Sequence, residues 1–288
     1  MQEFHLDVIG THIRIVIDES LPIGEDFSHI QKRLQEFDAR YSRFISGNWI
    51  HRLNRDRRNT LDDDARKMLD SSLELARVSD GYFDPTIGKK LAELGYKNPE
   101  LDNVGIIKNT GKNVFYGNYK DIEIIGDEVV LNGDIELEFG GIGKGYMLEW
   151  ITNYLSKYSR YIIDFGGDIY GKGGWQVGLE NPDNIEEAIG ILTLHDGYFA
   201  CSSGVKRKWG NHHHLIDPHT GNSAQEVKAT YIESFSGTLS DGYATTLCVM
   251  PFILACETLG KNPEIEGIIL SSRGEIYQSK GSKCELFS

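Results

Sequence analysis

ELEFGGIGKGYMLEW, residues 136–150, is the stretch whose reading decides most about the fold. Ile135, Leu137 and Phe139 alternate like a short strand that stops at Gly140-Gly141, and Gly143 and Gly145 bracket Lys144. From Tyr146 the spacing turns helical, with Met147, Ile151 and Leu155 recurring on one face. A strand feeding a glycine-rich turn and then a helix start is a natural anion site. Glycine lets the backbone approach a phosphate, and the first N–H groups of a helix have no partner inside it. The spacing is not a Walker A loop, because the first glycine of GxxxxGK[ST] would fall on Glu138 and Gly145 follows the lysine; nor is it GxGxxG. Taken alone, the cluster is explained more simply by a tight, close-packed turn.

Upstream, Phe4, Leu6 and Val8 alternate, as do Ile13, Ile15 and Ile17 after Gly10, which predicts two strands. Phe27, Ile30, Leu34, Phe37 and Tyr41 predict an amphipathic helix. YSRF and HRLN read as loop, and Thr60 with Asp63 as the cap of a helix running to Val78. IEII and EVVL flank Gly126-Asp127, and VVL and IELEF flank Asn132-Gly133-Asp134, both hairpin signals. Downstream, YIIDF, GWQVGL, GILTL, YFACS and VKATYIESF are strand candidates. HHHLIDPHTG carries a strand into a turn; Ser240 reads as the cap of a helix cut at Pro251, and IEGIIL with EIYQS closes as a hairpin. Hairpins in series without regular βαβ alternation predict an α+β fold of mostly antiparallel sheets with packed helices. Residues 1–288 read as a single domain, or as two subdomains packed intimately within it.

The totals narrow the functional classes. With 40% hydrophobic residues and 25% charged, 288 residues give a globular chain with ample core. A net charge of −13 argues against nucleic acid or an anionic membrane as partner, and means a phosphate ligand needs a local cation or backbone dipoles. Cys201, Cys248, Cys256 and Cys284 show no CxxC spacing, so neither a zinc knuckle nor a disulfide framework is suggested. MQEFHLDVIG lacks the features of a signal peptide and no apolar run reaches spanning length, so a cytoplasmic protein without membrane insertion is expected.

The remaining motifs are ambiguous one at a time. Asp241 and Thr245, four apart on a helix, share a face; that is either a helix-dipole carboxylate with a back-bonded threonine or half of a hard-cation site. His212, His213 and His214 invite zinc, but strand neighbours point to opposite faces and no cysteine lies near in sequence, so a lone general base is the better functional idea. Asp84 and Asp217 sit in Asp-Pro turns, where an aspartate usually bonds its own backbone. Ser203-Gly204 and Gly166-Gly167-Asp168 look like ordinary turns.

Their order decides. FDPTIG, GGIGKGY, DFGGDI, SSG, HHLIDPHTG and SDGYATTL, in this succession, resemble the ApbE family of FAD:protein FMN transferases, from Gly10-Thr11 through YSRF and HRLN to the helix near Ser240. Departures are small: Gly143 for a usual alanine, Cys201-Ser202 for Ala-Thr, His219 for a common arginine, Gly242-Tyr243 for Ala-Leu. The resemblance implies an α+β fold related to the tunnelling fold, and Mg²⁺-dependent transfer of FMN from FAD to a threonine of an acceptor flavoprotein, with release of AMP. It implies magnesium ligands at Asp241, Thr245 and the Gly143 carbonyl, and His214 as base with Asp217 shaping its turn. Asn54, Asp84, Thr86, Gly140, Gly141, Lys144, Gly166, Gly167, Asp168 and Ser203 would line the FAD site. Two alternatives stand beside it: an FAD pyrophosphatase yielding FMN and AMP, which the same magnesium site would serve, and a non-catalytic FAD carrier, against which the set of Asp241, Thr245 and His214 argues because storage needs no base.

Overall fold

The computed structural model describes residues 1–18, 23–96, 118–205 and 207–287. In chain order these form β1 (Gln2–Val8), β2 (Thr11–Ile17), α1 (Gly24–Tyr41), α2 (Trp49–Asp56), β3 (Arg58–Thr60), α3 (Asp63–Val78), α4 (Gly88–Glu93), β4 (Ile122–Ile125), β5 (Glu128–Leu131) and α5 (Gly143–Tyr154). There follow β6 (Tyr161–Phe165), β7 (Asp168–Asn181), β8 (Asn184–Ser203), β9 (Lys208–Trp209), β10 (His212–His213), β11 (Ile216–Asp217), β12 (Asn222–Ser223), β13 (Val227–Ser234), α6 (Gly237–Val249), α7 (Phe252–Lys261), β14 (Ile265–Ser271), β15 (Ile276–Gln278) and β16 (Glu285–Leu286). The chain divides into two compact units: residues 1–36, 141–203 and 225–288, and residues 37–140 and 204–224.

The first unit is built on an antiparallel sheet in the order β1-β2-β6-β7-β8-β13-β14-β15, with β16 added on β8. Val177, Leu179, Leu192, Leu194, Tyr231 and Ile268 form the heart of one apolar cluster on it. The β6–β7 hairpin turns at Gly166 and Gly167, whose φ angles of 66° and 100° lie in the left-handed region that glycine enters at no steric cost. GILTL and YFACS, which read as separate strands, are halves of the single strand β8, because β7 is long enough to pair with both. Helix α6 is buried on nearly its whole surface. It starts at Gly237, three residues before the expected cap: Ser236 accepts the Leu239 N–H at 3.2 Å, and Ser240 instead donates to the Gly237 carbonyl.

Helix α5 also begins early, at Gly143 rather than Tyr146, so Gly143, Lys144 and Gly145 form its first turn and not a loop. Glycine is admitted there because the backbone of α6 lies against it. A Cβ on Gly145 would fall 2.1 Å from the Gly237 carbonyl oxygen and 2.8 Å from Asp241 Cβ.

The second unit holds the three-stranded sheet β3-β5-β4 with α2, α3 and α4. HRLN, read as loop, lies in α2: Asn48 caps it by accepting the His51 N–H at 3.0 Å, Trp49, Ile50 and Leu53 form its buried face, and Arg57 ends it in the left-handed region. The cap of α3 is Asp62 rather than Thr60, which ends β3 instead. β4 and β5 pair across Gly126-Asp127 as expected. The second expected hairpin does not form. Residues 132–139 make only an isolated parallel bridge, Ile87 to Glu136, because other groups take their backbone bonds. The Asn54 carboxamide donates to the Leu137 carbonyl at 2.9 Å and accepts the Leu137 N–H at 2.8 Å, standing in for a neighbouring strand. Arg57 donates to the Ile135 carbonyl, and the Glu138 N–H goes to the Pro85 carbonyl at 2.9 Å. No described helix is long and apolar enough to cross a membrane.

The close approach at Gly145 makes a test with a distinctive sign. By intrinsic helix propensity alanine should stabilise this position by about 1 kcal/mol. Overpacking against the Gly237 carbonyl should outweigh that, so Gly145→Ala should lose about 1–3 kcal/mol by urea denaturation. Gly24→Ala, at a helix start with nothing among the described residues within 4 Å of the added carbon, should be unaffected or slightly stabilised. A Gly145→Ala protein as stable as the parent would mean the helices can part at no cost.

Candidate active site

Three charged side chains meet inside the first unit. Lys144 projects from the first turn of α5, Asp168 opens β7, and Asp241 lies one turn into α6. The Lys144 ammonium donates to Asp168 Oδ2 in a short contact and lies 3.5 Å from Asp241 Oδ1. Both aspartates are 2% exposed. Asp241 Oδ2 accepts the Gly145 N–H at 3.0 Å, so this carboxylate does serve a helix N-terminus, but that of α5 and not of its own helix. The service is mutual. Glu149 of α5 accepts the Ser236 hydroxyl at 2.5 Å and the Thr238 N–H at 3.0 Å, capping α6.

Two buried carboxylates share one ammonium, and the shortfall appears at Asp168. Burial, and next the charge of Asp241, push its carboxyl up to about 7, against the opposing pull of Lys144. Thr245, one turn beyond Asp241 on the same face of α6, is partly buried. Carboxylate, hydroxyl and carbonyl oxygens are the donor types magnesium takes, usually with only one or two carboxylates; among the described residues no group of three or more His, Cys, Asp or Glu side chains is placed to hold a metal ion. Gly143, the first residue of α5, is buried beside Lys144 in the sequence.

Gly141 precedes α5 in this unit, Gly166 and Gly167 form the turn that delivers Asp168, and Ser203 ends β8 with its hydroxyl donated to the Lys228 carbonyl at 3.0 Å. The other expected residues lie in the second unit. Asp84 is buried and both its oxygens are engaged: within its own turn Oδ1 accepts the Thr86 N–H (2.8 Å) and hydroxyl (2.6 Å), and Oδ2 accepts the N–H of the distant Tyr119 (3.1 Å). Burial pushes its carboxyl above the usual aspartate range despite those bonds. Thr86 Oγ1 accepts the Asn118 N–H at 2.8 Å, so Asp84 and Thr86 together tie this turn to residues 118–119. Asn54 is committed to Leu137 as described, and the Gly140 N–H goes to Glu138 Oε2 at 2.9 Å.

His214 lies just past β10, half-buried, with its ring roughly parallel to Tyr96 at 6.4 Å. Asp217 accepts the His219 N–H at 2.9 Å and, through its carbonyl, the Gly221 N–H at 2.8 Å, so it does shape the turn that follows. His213 is the structural member of the triplet: Nε2 lies 2.8 Å from the Ala224 carbonyl oxygen, and burial holds its pKa below the usual histidine value. Sequence reasoning passed over Arg43. Its Nη2 donates to the Gly88 carbonyl at 3.0 Å, while Nη1 is buried without a hydrogen-bond partner among the described residues, beside the rings of Phe44 and Tyr96. The YSRF motif was the available signal. Glu149 was also missed, since nothing in its spacing points to the other helix.

The protein is of the antiparallel α+β class and keeps two carboxylates and an ammonium buried together at the starts of α5, β7 and α6. The chain belongs to the ApbE family, which matches it over residues 9–269. A relative from Klebsiella pneumoniae (strain 342), called FAD:protein FMN transferase, is 27% identical over 157 residues, 50% of this chain; the match spans 48% of that relative, less than half its length. The protein of the same name from Haemophilus influenzae is 24% identical across 87% of this chain and 80% of its own. The crystal structure of the ApbE protein of Thermotoga maritima superimposes with a TM-score of 0.86 over 97% of both chains at 22% identity, which bears out the expected α+β fold.

The cluster makes a prediction for the metal-free protein. A carboxyl raised in the folded state holds its proton where the unfolded chain has lost it, so ionising Asp168 costs stability. That cost should set in as pH rises from the ordinary 3.8 to about 7, and persist above. With EDTA present, Asp168→Asn should flatten this decline and raise the melting temperature above pH 7. An unchanged slope would place the excess charge elsewhere.

Proposed function

We propose that this chain transfers FMN from FAD to a threonine hydroxyl of an acceptor flavoprotein and releases AMP. The observation that carries the reading is the Lys144–Asp168–Asp241 cluster, a buried site one positive charge short in a member of this family. The relatives called FAD:protein FMN transferase support the same activity. Asp241, Thr245 and the Gly143 carbonyl would hold Mg²⁺. When bound, that ion would neutralise the pyrophosphate and offset charge building at the transferring phosphorus.

The chain's own residues do the rest. Lys144 holds Asp168 and Asp241 in place from the first turn of α5, where it can also meet phosphate oxygens. His214 takes the proton of the acceptor threonine. The threonine oxygen forms a bond to the FMN phosphorus, the bond from that phosphorus to the bridging oxygen breaks, and AMP leaves with the electron pair. Neutral imidazole is suited to that proton near neutrality.

One assay tests the activity. The protein is incubated with FAD and Mg²⁺, with and without a peptide carrying an acceptor threonine, and AMP, free FMN and peptide mass are followed. AMP formed together with a peptide gaining FMN is the expected result; AMP with free FMN and no peptide would instead make the chain a pyrophosphatase, and no AMP at all a carrier. His214→Ala should lower transfer roughly 10²–10⁴-fold with FAD binding little changed. Transfer at the normal rate would make His214 structural.

Asp241→Asn should abolish the Mg²⁺-induced rise in melting temperature as well as transfer. Thr245→Val should be milder, and partly rescued by raising Mg²⁺. An Asp241→Asn protein with a normal magnesium titration would remove the metal from this helix face.

A further inference from the structure

On the outward face of the β1–β2 hairpin, four side chains form one hydrogen-bonded row. His5 Nδ1 lies 2.9 Å from His12 Nε2. Each ring's other nitrogen meets a carboxylate: His12 Nδ1 is 2.8 Å from Asp7 Oδ1, and His5 Nε2 is 3.2 Å from Glu3 Oε1. The rings lie offset, with centroids 5.1 Å apart and planes 27° from parallel. The strand period puts residues 3, 5 and 7 on one face of β1, and the antiparallel register sets Asp7 opposite His12 and His5 opposite Arg14.

We propose that His5 and His12 together bind a divalent transition-metal ion of the zinc, copper or nickel type, at a site separate from the Asp241 cluster. Two facing imidazole nitrogens at hydrogen-bond distance share a single proton, and a metal ion can replace that proton by taking a lone pair from each ring. A histidine that ligates a metal usually gives its other N–H to a carboxylate, which fixes the tautomer and raises the basicity of the ligating nitrogen. Here both outer nitrogens already have that partner. Nitrogens bound tetrahedrally at zinc distances lie roughly 3.3 Å apart, so the two nitrogens need to separate by only a few tenths of an ångström, with the rings turning so that both lone pairs point at the ion. Both side chains are about half-exposed, which leaves room for that shift and for water to complete the coordination.

The charge also fits. Glu3 and Asp7 outweigh Arg14, whose Nε lies 2.5 Å from Glu3 Oε1, so the row carries net negative charge when the imidazoles are neutral. Imidazole ligands select borderline ions over magnesium, which keeps this site chemically apart from the proposed magnesium ligands. Coordination would staple β1, the outermost strand of the sheet, to β2.

The test is calorimetric titration of untagged, metal-stripped protein with Zn²⁺. The wild type should show a tight equivalent that excess Mg²⁺ does not displace. His5→Gln and His12→Gln, both on an exposed face and checked by circular dichroism for retained fold, should each lose it. His212→Gln should keep it, which separates this site from the 212–214 run. Asp7→Asn should retain the equivalent but weaken it 10–100-fold, the usual effect of removing a carboxylate behind a ligating histidine. Absence of the equivalent in the wild type, or its survival in either histidine variant, would overturn the proposal and leave the row a proton-sharing chain.

Discussion

Gly145 and Gly237 let two helices meet backbone against backbone, and the placement of the charged cluster follows from that contact. A side chain at either glycine would run into the other's carbonyl, at 2.1 Å in one direction and 2.7 Å in the other. Because α5 and α6 come this close, a carboxylate one turn into α6 and another nearly two turns into α5 can each reach the N–H groups at the start of the other helix. Asp241 serves Gly145, and Glu149 serves Thr238. Helix starts ordinarily find such partners in their own flanking residues. Here Ile142, at the cap position of α5, has no side chain able to do it, so α5 depends on its neighbour.

The same contact sets an electrostatic problem. Asp241 has an N–H and a nearby ammonium to offset its burial, whereas Asp168 leans on Lys144 alone among these groups. Buried charge of one sign in excess is expensive, and a protein that keeps it gives up stability in the ligand-free state. On the proposed reading a cation would supply the missing charge, and its occupancy of the site would then be tied to the stability of the unit around it.

Much of the fold was legible because its signals are local. Alternation in β1, β2, β6 and β13, the apolar stripe of α1 and the break at Pro251 all reflect residues whose neighbours in sequence are also neighbours in space. Misreadings arose where a distant group decides. IELEF has strand character, but Asn54, more than eighty positions away, supplies the bonds a second strand would have made. Ser240 looked like a cap only because Ser236, followed by glycine, carries no apolar pattern of its own. Among the site residues, Asp168 and Lys144 were named for separate reasons, and no spacing rule announces that residues 144, 168 and 241 converge. Asp84 and Asp217 do what their Asp-Pro setting foretold and bond their own turns.

The sheet of the first unit is assembled from three stretches of chain separated by the whole of the second unit. β2 ends at residue 17 and its partner β6 begins at residue 161, while β8 waits for β13 and for β16 near residue 285. During synthesis the N-terminal hairpin therefore emerges long before anything exists for it to pair with, and its open edge stays exposed to other chains. Non-local pairing of this kind makes folding slow and leaves strand edges unsatisfied in the interim. The second unit interrupts the first, so β1 and β2 are separated in sequence from the seven other strands of their sheet, which lie between residues 161 and 286. Truncation or domain-swapping of this protein would have to respect the seams at residues 36, 140, 203 and 224 rather than any single cut.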